Sequence, residues 1–239
     1  MANIDIPTKN VTRSSSSAQR LSADICVVGS GAAGISAALE AAGLGKNVIL
    51  VDAAPVLGGQ AVNAVIGTFC GLYSNGPDIH RVTYGMVDAL LEDLIGAGNA
   101  RYMAARNSVI VQYNEIALSR WVDKTISGAG IRVLTGAVVR EVTTADRRIK
   151  TLEATSRFGD VVIEAEGFVD ASGDAAVAWL AGLPVKEPVD PIYGTQVVLI
   201  EGFDEGAAAS IDRWKMQDHL ARKADDYGLI RKDGFVFAF

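Results

Sequence analysis

The stretch from Ile25 to Gln60, ICVVGSGAAGISAALEAAGLGKNVILVDAAPVLGGQ, decides the fold. Its pattern predicts a buried strand at Asp24–Val28, a helix at Ala32–Gly43 and a second apolar strand at Asn47–Asp52. A strand, a helix and a strand in close succession are typical of a βαβ unit, in which the two strands are parallel. The sequence therefore predicts an α/β fold with a parallel sheet.

Three glycines with the spacing G-x-G-x-x-G lie between the first strand and the helix, at Gly29, Gly31 and Gly34. In this context the first glycine permits a tight turn, the second lets a pyrophosphate approach the backbone, and the third lets the helix pack closely on the strand. Ser30 and Ala33 lie between them and offer backbone N–H groups at the positive end of the helix dipole. The loop predicts a dinucleotide site.

Asp52 ends the second predicted strand, and Ala53 follows it. A carboxylate at this position accepts hydrogen bonds from the hydroxyls of an adenosine ribose and repels a 2′-phosphate. Both NAD and FAD are bound by such a loop, so this unit alone leaves the choice between them open.

Two further elements favour FAD. Gly58-Gly59-Gln60 follows the second strand, although a glycine pair in a loop is not specific by itself, and Ala171-Ser172-Gly173 lies in GFVDASGDAA. Together with the first loop they resemble three motifs of the glutathione-reductase-like flavoproteins, over roughly residues 23–184. The chain resembles the FAD-dependent oxidoreductase family that groups with fumarate-reductase-type flavoproteins.

This resemblance implies FAD as the cofactor, with Asp52 in place of the more usual and longer Glu and the backbone of Val138 beside the adenine. For Asp174 it leaves two roles equally open, an acceptor near the cofactor or a cap on the helix that follows. The residues that the resemblance assigns to FAD are Gly29, Ser30, Gly31, Ala33, Gly34, Asp52, Ala53, Gly58, Gly59, Gln60, Val138, Ala171, Gly173 and Asp174.

The predicted architecture is a Rossmann-like FAD-binding domain, a parallel sheet with helices plus an antiparallel β-meander, followed by an incomplete α+β substrate domain. The alternation before Asp174, with RFGD as a hairpin turn, predicts the meander. The predicted domains are a flexible arm at 1–22, an FAD-binding domain at 23–185 and the start of a substrate domain at 186–239. Further helices are predicted at Asp78–Ala97, Asn114–Ser127 and Asp204–Asp226, and a strand in YGTQVVLIEGF.

In such a fold the flavin carries the redox chemistry, so no catalytic side chains are assigned. The resemblance implies that the segment Ala61–Tyr73 runs towards the flavin ring. There Cys70 is a flavin neighbour, a nucleophile, a covalent tether or, the favoured interpretation, a packed bystander. Because the sequence has no second G-x-G-x-x-G for NAD(P)H, we expect a small organic substrate to reduce the flavin by hydride transfer to N5, and oxygen or an electron carrier to reoxidise it.

The resemblance also implies a longer chain than this one, which stops on GFVFAF. We therefore expect a second polypeptide, a separate subunit or the other half of a cleaved precursor, to complete the FAD and substrate sites. The alternatives are a non-catalytic FAD-containing structural or electron-relay subunit, a regulatory nucleotide-binding module, or an NAD-dependent dehydrogenase, which the second and third glycine elements disfavour.

Composition narrows the classes of partner. The 239 residues carry a net charge of −6, with 49% hydrophobic residues and no block of Lys and Arg, so we expect no nucleic-acid partner. No apolar run is long enough for a membrane span. Two distant cysteines form neither a metal-ligand pattern nor a disulfide framework, which predicts no metal and a cytoplasmic protein.

Overall fold

The computed structural model describes residues 18–105, 107–187, 189, 202 and 212–228. The chain divides into two compact units, residues 1–193 and 194–239. The described strands, in chain order, are β1 (Gln19–Val28), β2 (Val48–Asp52), β3 (Thr68–Phe69), β4 (Ala100–Ala104), β5 (Val109–Tyr113), β6 (Arg132–Thr135), β7 (Ala137–Ala145), β8 (Arg148–Ser156) and β9 (Gly159–Asp170).

Six of these strands form the main sheet, in the spatial order β6-β2-β1-β9-β8-β7. Strands β6, β2, β1 and β9 are parallel to their neighbours, whereas β9, β8 and β7 form an antiparallel meander. The turn between β8 and β9 is Arg157-Phe158, within the predicted RFGD hairpin. The predicted α/β class, with a parallel sheet and a meander, is confirmed.

The described helices of the first unit are α1 (Ala32–Gly43), α2 (Gln60–Asn63), α3 (Met86–Gly96), α4 (Glu115–Gly128) and α5 (Ala176–Leu180). Helix α1 begins and ends at the predicted residues. Helix α4 begins and ends within one residue of its predicted limits. Its N-cap is Asn114, whose Oδ1 accepts the N–H of Ala117 at 2.9 Å. Within the described part of the chain, no helix is both long and apolar enough to cross a bilayer.

Helix α3 begins later than predicted, so the helix prediction is wrong for residues 78–85. Gly85 has φ of 91° and is the N-cap of α3, with its N–H donated to Oδ2 of Asp88 at 2.9 Å. Upstream, Tyr73 and Arg81 form an antiparallel bridge. This extended pairing and the positive φ of Gly85 exclude helix from that stretch.

Strand β1 begins inside the predicted flexible arm of residues 1–22. Residues 19–23 pair in parallel with residues 161–165 of β9, and Arg20 makes an ion pair with Glu164 at 2.8 Å. Pairing with β9 therefore orders the chain from Gln19, while residues 1–17 lie outside the described residues. The arm prediction is wrong for residues 19–22.

The predicted domain boundary near residue 185 stays a prediction. In the second unit the structure describes helix α6 (Arg213–Arg222), within the helix predicted for Asp204–Asp226. Residues 223–226 form turns, so the helix prediction is wrong there. Residues 204–211 lie outside the described residues, and so does nearly all of the strand predicted in YGTQVVLIEGF.

A second, antiparallel sheet of order β3-β5-β4 was not predicted. Its strands pair through short registers such as Phe69 with Val111 and Tyr102 with Val111. Aromatic contacts hold it together: the rings of Phe69 and Tyr113 stack with centroids 4.2 Å apart. The stacked rings hold β3, the strand that follows α2 in the chain, against β5.

The core lies on both faces of the main sheet because successive side chains along a strand point to opposite faces. Val27 and Leu50 pack on the face covered by α1, α3 and α4, whereas Cys26 and Ile49 pack on the face shared with the meander and α5. Burial raises the pKa of the fully buried Cys26 thiol to about 12, so this thiol stays protonated at neutral pH.

Candidate functional site

The predicted site residues concentrate at one edge of the main sheet. The glycine loop follows β1, Asp52 ends β2, and Ala171 follows β9, and these three strands are adjacent and parallel. Their carboxyl ends therefore meet at the same edge, which is where open α/β sheets bind ligands.

Gly29 and Gly34 are required by packing. Gly29 has φ of 99°, and a Cβ there would overlap the carbonyl oxygen of Ala171, whose N–H is donated to the carbonyl of Val28 at 2.8 Å. A Cβ at Gly34 would overlap the carbonyl oxygen of Gly29. These two glycines let the loop, helix α1 and the end of β9 approach one another.

Gly31 differs from its two neighbouring glycines. Its φ of −69° and ψ of −176° are open to any residue, and a Cβ there would have no atom within 4 Å. Helix α1 begins at the next residue, and no side chain caps its first turn. Gly31 thus keeps open the approach to the N–H groups at the N-terminus of α1, as an anionic group requires.

The second glycine element packs directly on the first loop. Gly58 donates its N–H to the carbonyl of Ser30 at 3.0 Å. A Cβ on Gly59, which has φ of 55°, would lie 2.7 Å from Cα of Gly31. Gln60 is exposed and begins α2. Two elements separated in sequence are therefore adjoining turns of one surface.

Asp52 is tied to the same loop. Its Oδ2 accepts the N–H of Ser30 at 2.5 Å, and its Oδ1 accepts the N–H of Ala54 at 2.7 Å. Each carboxylate oxygen can accept more than one hydrogen bond, so both keep acceptor capacity. The side chain of Asp52, which is shorter than the more usual Glu, is thus held at the glycine loop by two backbone N–H groups.

Ala53 and Val138 lie at the Asp52 end of the site. Ala53 is exposed, and the next residue, Ala54, accepts the N–H of Gly136 at 3.0 Å. Val138 lies two residues after Gly136, which is about 7 Å along a strand. It belongs to the edge strand β7 and is 55% exposed. The structure therefore places Val138 close to the Asp52 end of the site.

Ser30 gives the site an observation that points to a ligand. The residue is fully buried, and its Oγ has no hydrogen-bond partner among the described residues. Burying a hydroxyl without a partner costs free energy, and nearly all buried polar atoms in proteins are paired. A polar ligand at the loop would supply the missing partner.

The end of β9 contains two residues, Asp170 and Ser172, whose capping role sequence reasoning missed. Asp170 accepts hydrogen bonds from Oγ of Ser172 at 2.7 Å and from the N–H of Ala178 at 3.0 Å, and Oγ of Ser172 accepts the N–H of Ala176 at 2.9 Å. Desolvation raises the pKa of Asp170, but the hydrogen bonds from Ser172, Ala178 and Val177 outweigh it and hold that pKa below 3.8. Asp and Ser before an alanine-rich run signal a cap.

Gly173 and Asp174 lie in the turn between this cap and α5. Both are exposed, and Gly173 has φ of 85°. The first turn of α5 is capped by Asp170 and Ser172, and its N-cap position, Ala175, has no side-chain hydrogen bond. Of the two roles predicted for Asp174, the structure gives the capping role to other residues, and the role near the cofactor stays a prediction.

Cys70 is not brought to the glycine turns by any described contact. It is an exposed free thiol that follows β3 in the second sheet, so the prediction that Cys70 is packed is wrong. Tyr113, in contrast, was not predicted, yet its hydroxyl donates to the carbonyl of Ala61 at 2.8 Å, just after the second glycine element. In the described residues, no three His, Cys, Asp or Glu side chains cluster as metal ligands would.

The sequence pattern of the family described as "FAD dependent oxidoreductase" matches residues 24–234. The chain belongs to this family. Its cofactor is FAD, and the family match spans the glycine loop and both further elements. None of the curated protein sequences matches this FAD-dependent oxidoreductase.

Solved structures similar to this FAD-dependent oxidoreductase include THI4 from Thermovibrio ammonificans, with 17% identity and a TM-score of 0.48 over 68% of this chain and 64% of that one. A geranylgeranyl bacteriochlorophyll reductase-like protein from Thermoplasma acidophilum has 16% identity and a TM-score of 0.46, over 69% and 43%. A 3-ketosteroid-delta4-(5alpha)-dehydrogenase from Rhodococcus jostii has 17% and 0.47, over 62% and 45%. The matched region is thus less than two thirds of each of these chains.

The residues at the sheet edge fit FAD. The first turn of α1 offers uncapped N–H groups to a pyrophosphate, Gly31 leaves the approach open, and the buried hydroxyl of Ser30 needs a polar partner. Asp52 adds a fixed carboxylate with remaining acceptor capacity. For this FAD-dependent oxidoreductase, the sheet edge is the candidate cofactor site.

Proposed function

We propose that this chain binds FAD at the edge formed by β1, β2 and β9 and that the protein oxidises a small organic molecule by hydride transfer to N5 of the flavin. The observation that carries the proposal is the meeting of three backbone turns, at Gly29–Gly34, Gly58-Gly59 and Ala171-Ser172, around the open face of Gly31. Such a surface suits an extended ligand with a central anionic group.

In this proposal the backbone carries most of the binding. The N–H groups at the start of α1 and its positive dipole end hold the pyrophosphate, and Gly31 gives it access. Asp52 accepts the ribose hydroxyls, and the backbone of Val138 meets the adenine. The remaining predicted contacts are Ser30, Ala33, Ala53, Gly58, Gly59, Gln60, Ala171, Gly173 and Asp174.

Bound FAD supplies a two-electron acceptor, and the protein's contribution is to orient the substrate and exclude competing reactions. The carboxylate of Asp52, fixed by Ser30 and Ala54, disfavours ligands that carry a 2′-phosphate on the ribose. The N-terminus of α1 compensates the negative charge of a pyrophosphate without a basic side chain.

The test uses the variant Gly31→Ala in the full-length chain, with visible spectra and FAD titration of the apoprotein. Because the added Cβ projects into open space at a negative φ, we expect the apoprotein to keep its melting temperature. Its FAD affinity should fall by at least about tenfold, since the methyl group blocks the close approach of the phosphate to the backbone. Gly43→Ala, at the other end of α1 and also facing open space, should bind FAD as the wild type does.

A colourless wild-type protein that takes up no FAD, or unchanged FAD binding by Gly31→Ala, would contradict the proposal. Anaerobic bleaching of the bound flavin by candidate amines, alcohols or hydroxy acids tests the catalytic part. If no organic substrate bleaches it but a reduced electron carrier does, the protein is an electron relay rather than a substrate oxidase.

The predicted second polypeptide has no support in the comparisons. It stays a prediction, which a denaturing gel of the protein purified from its source tests through the presence or absence of a second band. Two further predictions stay open to test. Limited proteolysis tests the domain limits of 23–185 and 186–239, and cell fractionation tests the cytoplasmic location.

A further inference from the structure

The segment Ala61–Gly67, here called the arch, continues from the second glycine element. It begins two residues after Gly59, which packs against Gly31, and it ends where β3 begins. Val65 and Ile66 within it are 40% and 44% exposed. The arch is therefore an apolar surface that adjoins the glycine turns of the candidate cofactor site.

The backbone of the arch is held in a conformation that local preference disfavours. Val65 has φ of 53°, a left-handed conformation that is rare for a β-branched residue. Such a residue persists only where surrounding contacts impose it, and residues of this kind cluster at ligand sites. Contacts from elsewhere in the fold must therefore maintain the arch.

Tyr113 supplies contacts at both ends of the arch. Its hydroxyl donates to the carbonyl of Ala61 at 2.8 Å, and its N–H donates to the carbonyl of Gly67 at 2.9 Å. The ring is 5% exposed and stacks on Phe69 with centroids 4.2 Å apart. One residue from β5 thus spans the arch and fixes its two ends.

The hydroxyl of Tyr113 is a permanent donor. Burial, followed by the negative charge of Glu115, raises the pKa of Tyr113 to about 12. The hydroxyl stays protonated throughout the physiological range, and its hydrogen bond to Ala61 does not depend on pH there.

We propose that Tyr113 is a positioning residue, which acts through the arch on the half of FAD that extends beyond the pyrophosphate. The inference rests on the proposed function. The adenosine half is matched by Asp52 and the loop after β1, so the flavin half must continue past these turns. The arch is the next segment after the second turn, and its exposed Val65 and Ile66 offer an apolar surface to an aromatic ring.

The test compares FAD with ADP, which contains the adenosine and pyrophosphate but no flavin. Tyr113→Phe removes one hydroxyl and retains both the ring stack and the N–H bond to Gly67. In the full-length apoprotein we expect FAD to bind about five- to tenfold more weakly, the effect of losing one hydrogen bond, while ADP affinity stays within about twofold.

Trp121→Phe is the matched control. Like the Tyr113 bond to Ala61, the bond that it removes is partly buried: Nε1 of the buried Trp121 donates to Oδ2 of Asp93 at 2.8 Å, in a contact between α3 and α4. We expect a loss of thermal stability comparable to that of Tyr113→Phe, with the ratio of FAD to ADP affinity unchanged. A role of Tyr113 in stability alone would leave this ratio unchanged in both variants.

An unchanged ratio of FAD to ADP affinity in Tyr113→Phe would overturn the positioning role, whether the two affinities stay at the wild-type values or fall equally. A wild type that binds neither ligand would overturn the proposed function instead. If Tyr113→Phe does not fold, Phe69→Leu loosens the ring while it keeps the hydroxyl, and it should lower the ratio about two- to threefold, less than a full hydrogen bond. An unchanged ratio there would also overturn the inference.

Discussion

The glycine loop after β1 and the arch, which begins within α2, are neighbouring segments, but different interactions hold them. In the loop, Gly29 and Gly34 let backbone pack against backbone, and the contacts involve Ala171 on an adjacent strand. In the arch, the backbone carries a strained Val65 and is held by the side chain and N–H of Tyr113. One carbon atom added at Gly29 or Gly34 disrupts the loop, whereas removal of the hydroxyl oxygen of Tyr113 loosens the arch.

Gly34→Ala should have the largest effect, since it attacks the packing of the loop itself. The added Cβ would overlap the carbonyl of Gly29, and neither backbone segment can yield without separating α1 from β1. We expect a loss of about 3 kcal/mol in the free energy of unfolding, measured by urea denaturation. Gly43→Ala, which meets open space, should be neutral or slightly stabilising. Equal stability of both variants would show that α1 does not pack as described.

Asp52→Asn tests the side chain that holds the loop from β2. Loss of a charged acceptor for the N–H groups of Ser30 and Ala54 should cost about 1.5–3 kcal/mol and also weaken FAD binding. Asp24, in the middle of β1, accepts the N–H of Asn47 at 2.7 Å just before β2 begins, so Asp24→Asn should lower stability without altering FAD affinity. If Asp52→Asn left FAD affinity unchanged, Asp52 would not belong to the cofactor site.

Asp170→Asn tests the third turn, at Ala171-Ser172, where the carboxylate of Asp170 holds the turn by capping α5. Its pKa lies below 3.8 in the folded protein, so ionised Asp170 stabilises the fold. That contribution is complete well above the ordinary pKa of an Asp carboxyl and is lost as the pH falls through the lowered pKa. We expect the variant to be about 1 kcal/mol less stable at pH 7, as for the loss of a helix cap.

Urea midpoints measured at several pH values check this expectation. The difference in stability between wild type and Asp170→Asn should narrow below pH 3.8 and be constant from pH 5 to pH 7. A difference independent of pH would show that the charge of Asp170 does not stabilise the turn.

Cys70→Ser should have the smallest effect, since Cys70 follows β3 and lies beyond the arch. Because Cys70 is exposed, the free energy of unfolding should change by less than about 0.5 kcal/mol. If Cys70 is a bystander, FAD affinity is unchanged and FAD leaves both proteins on denaturation, as mass spectrometry would show. A denatured wild type that retains the mass of FAD, with its loss in Cys70→Ser, would identify Cys70 as a covalent tether.

Much of the loop could be predicted because its constraints are local in sequence. The limits of α1, the positions of β1 and β2 and the roles of Gly29 and Gly34 in packing all follow from glycine spacing and apolar runs. The meander could be predicted as well, since alternation and a hairpin turn are visible in a single stretch of chain.

The arch and its surroundings could not be predicted in the same way. Strand β3 has only two residues, and β4 and β5 acquire their pairing from contacts between distant segments. Helix α3 is shorter than its apolar periodicity indicates, because Gly85 takes a positive φ and Arg81 pairs with Tyr73. No spacing rule links Tyr113 to Ala61, so their hydrogen bond is visible only in the folded chain.

The burial of Cys26 makes the native chain chemically asymmetric towards thiol reagents. With its pKa near 12 and no exposed surface, Cys26 is closed to alkylation while β1 stays in the sheet, whereas Cys70 is accessible. A probe attached under native conditions therefore enters at one position, beyond the arch. The rate at which a second label reacts with Cys26 then measures how often β1 leaves the sheet.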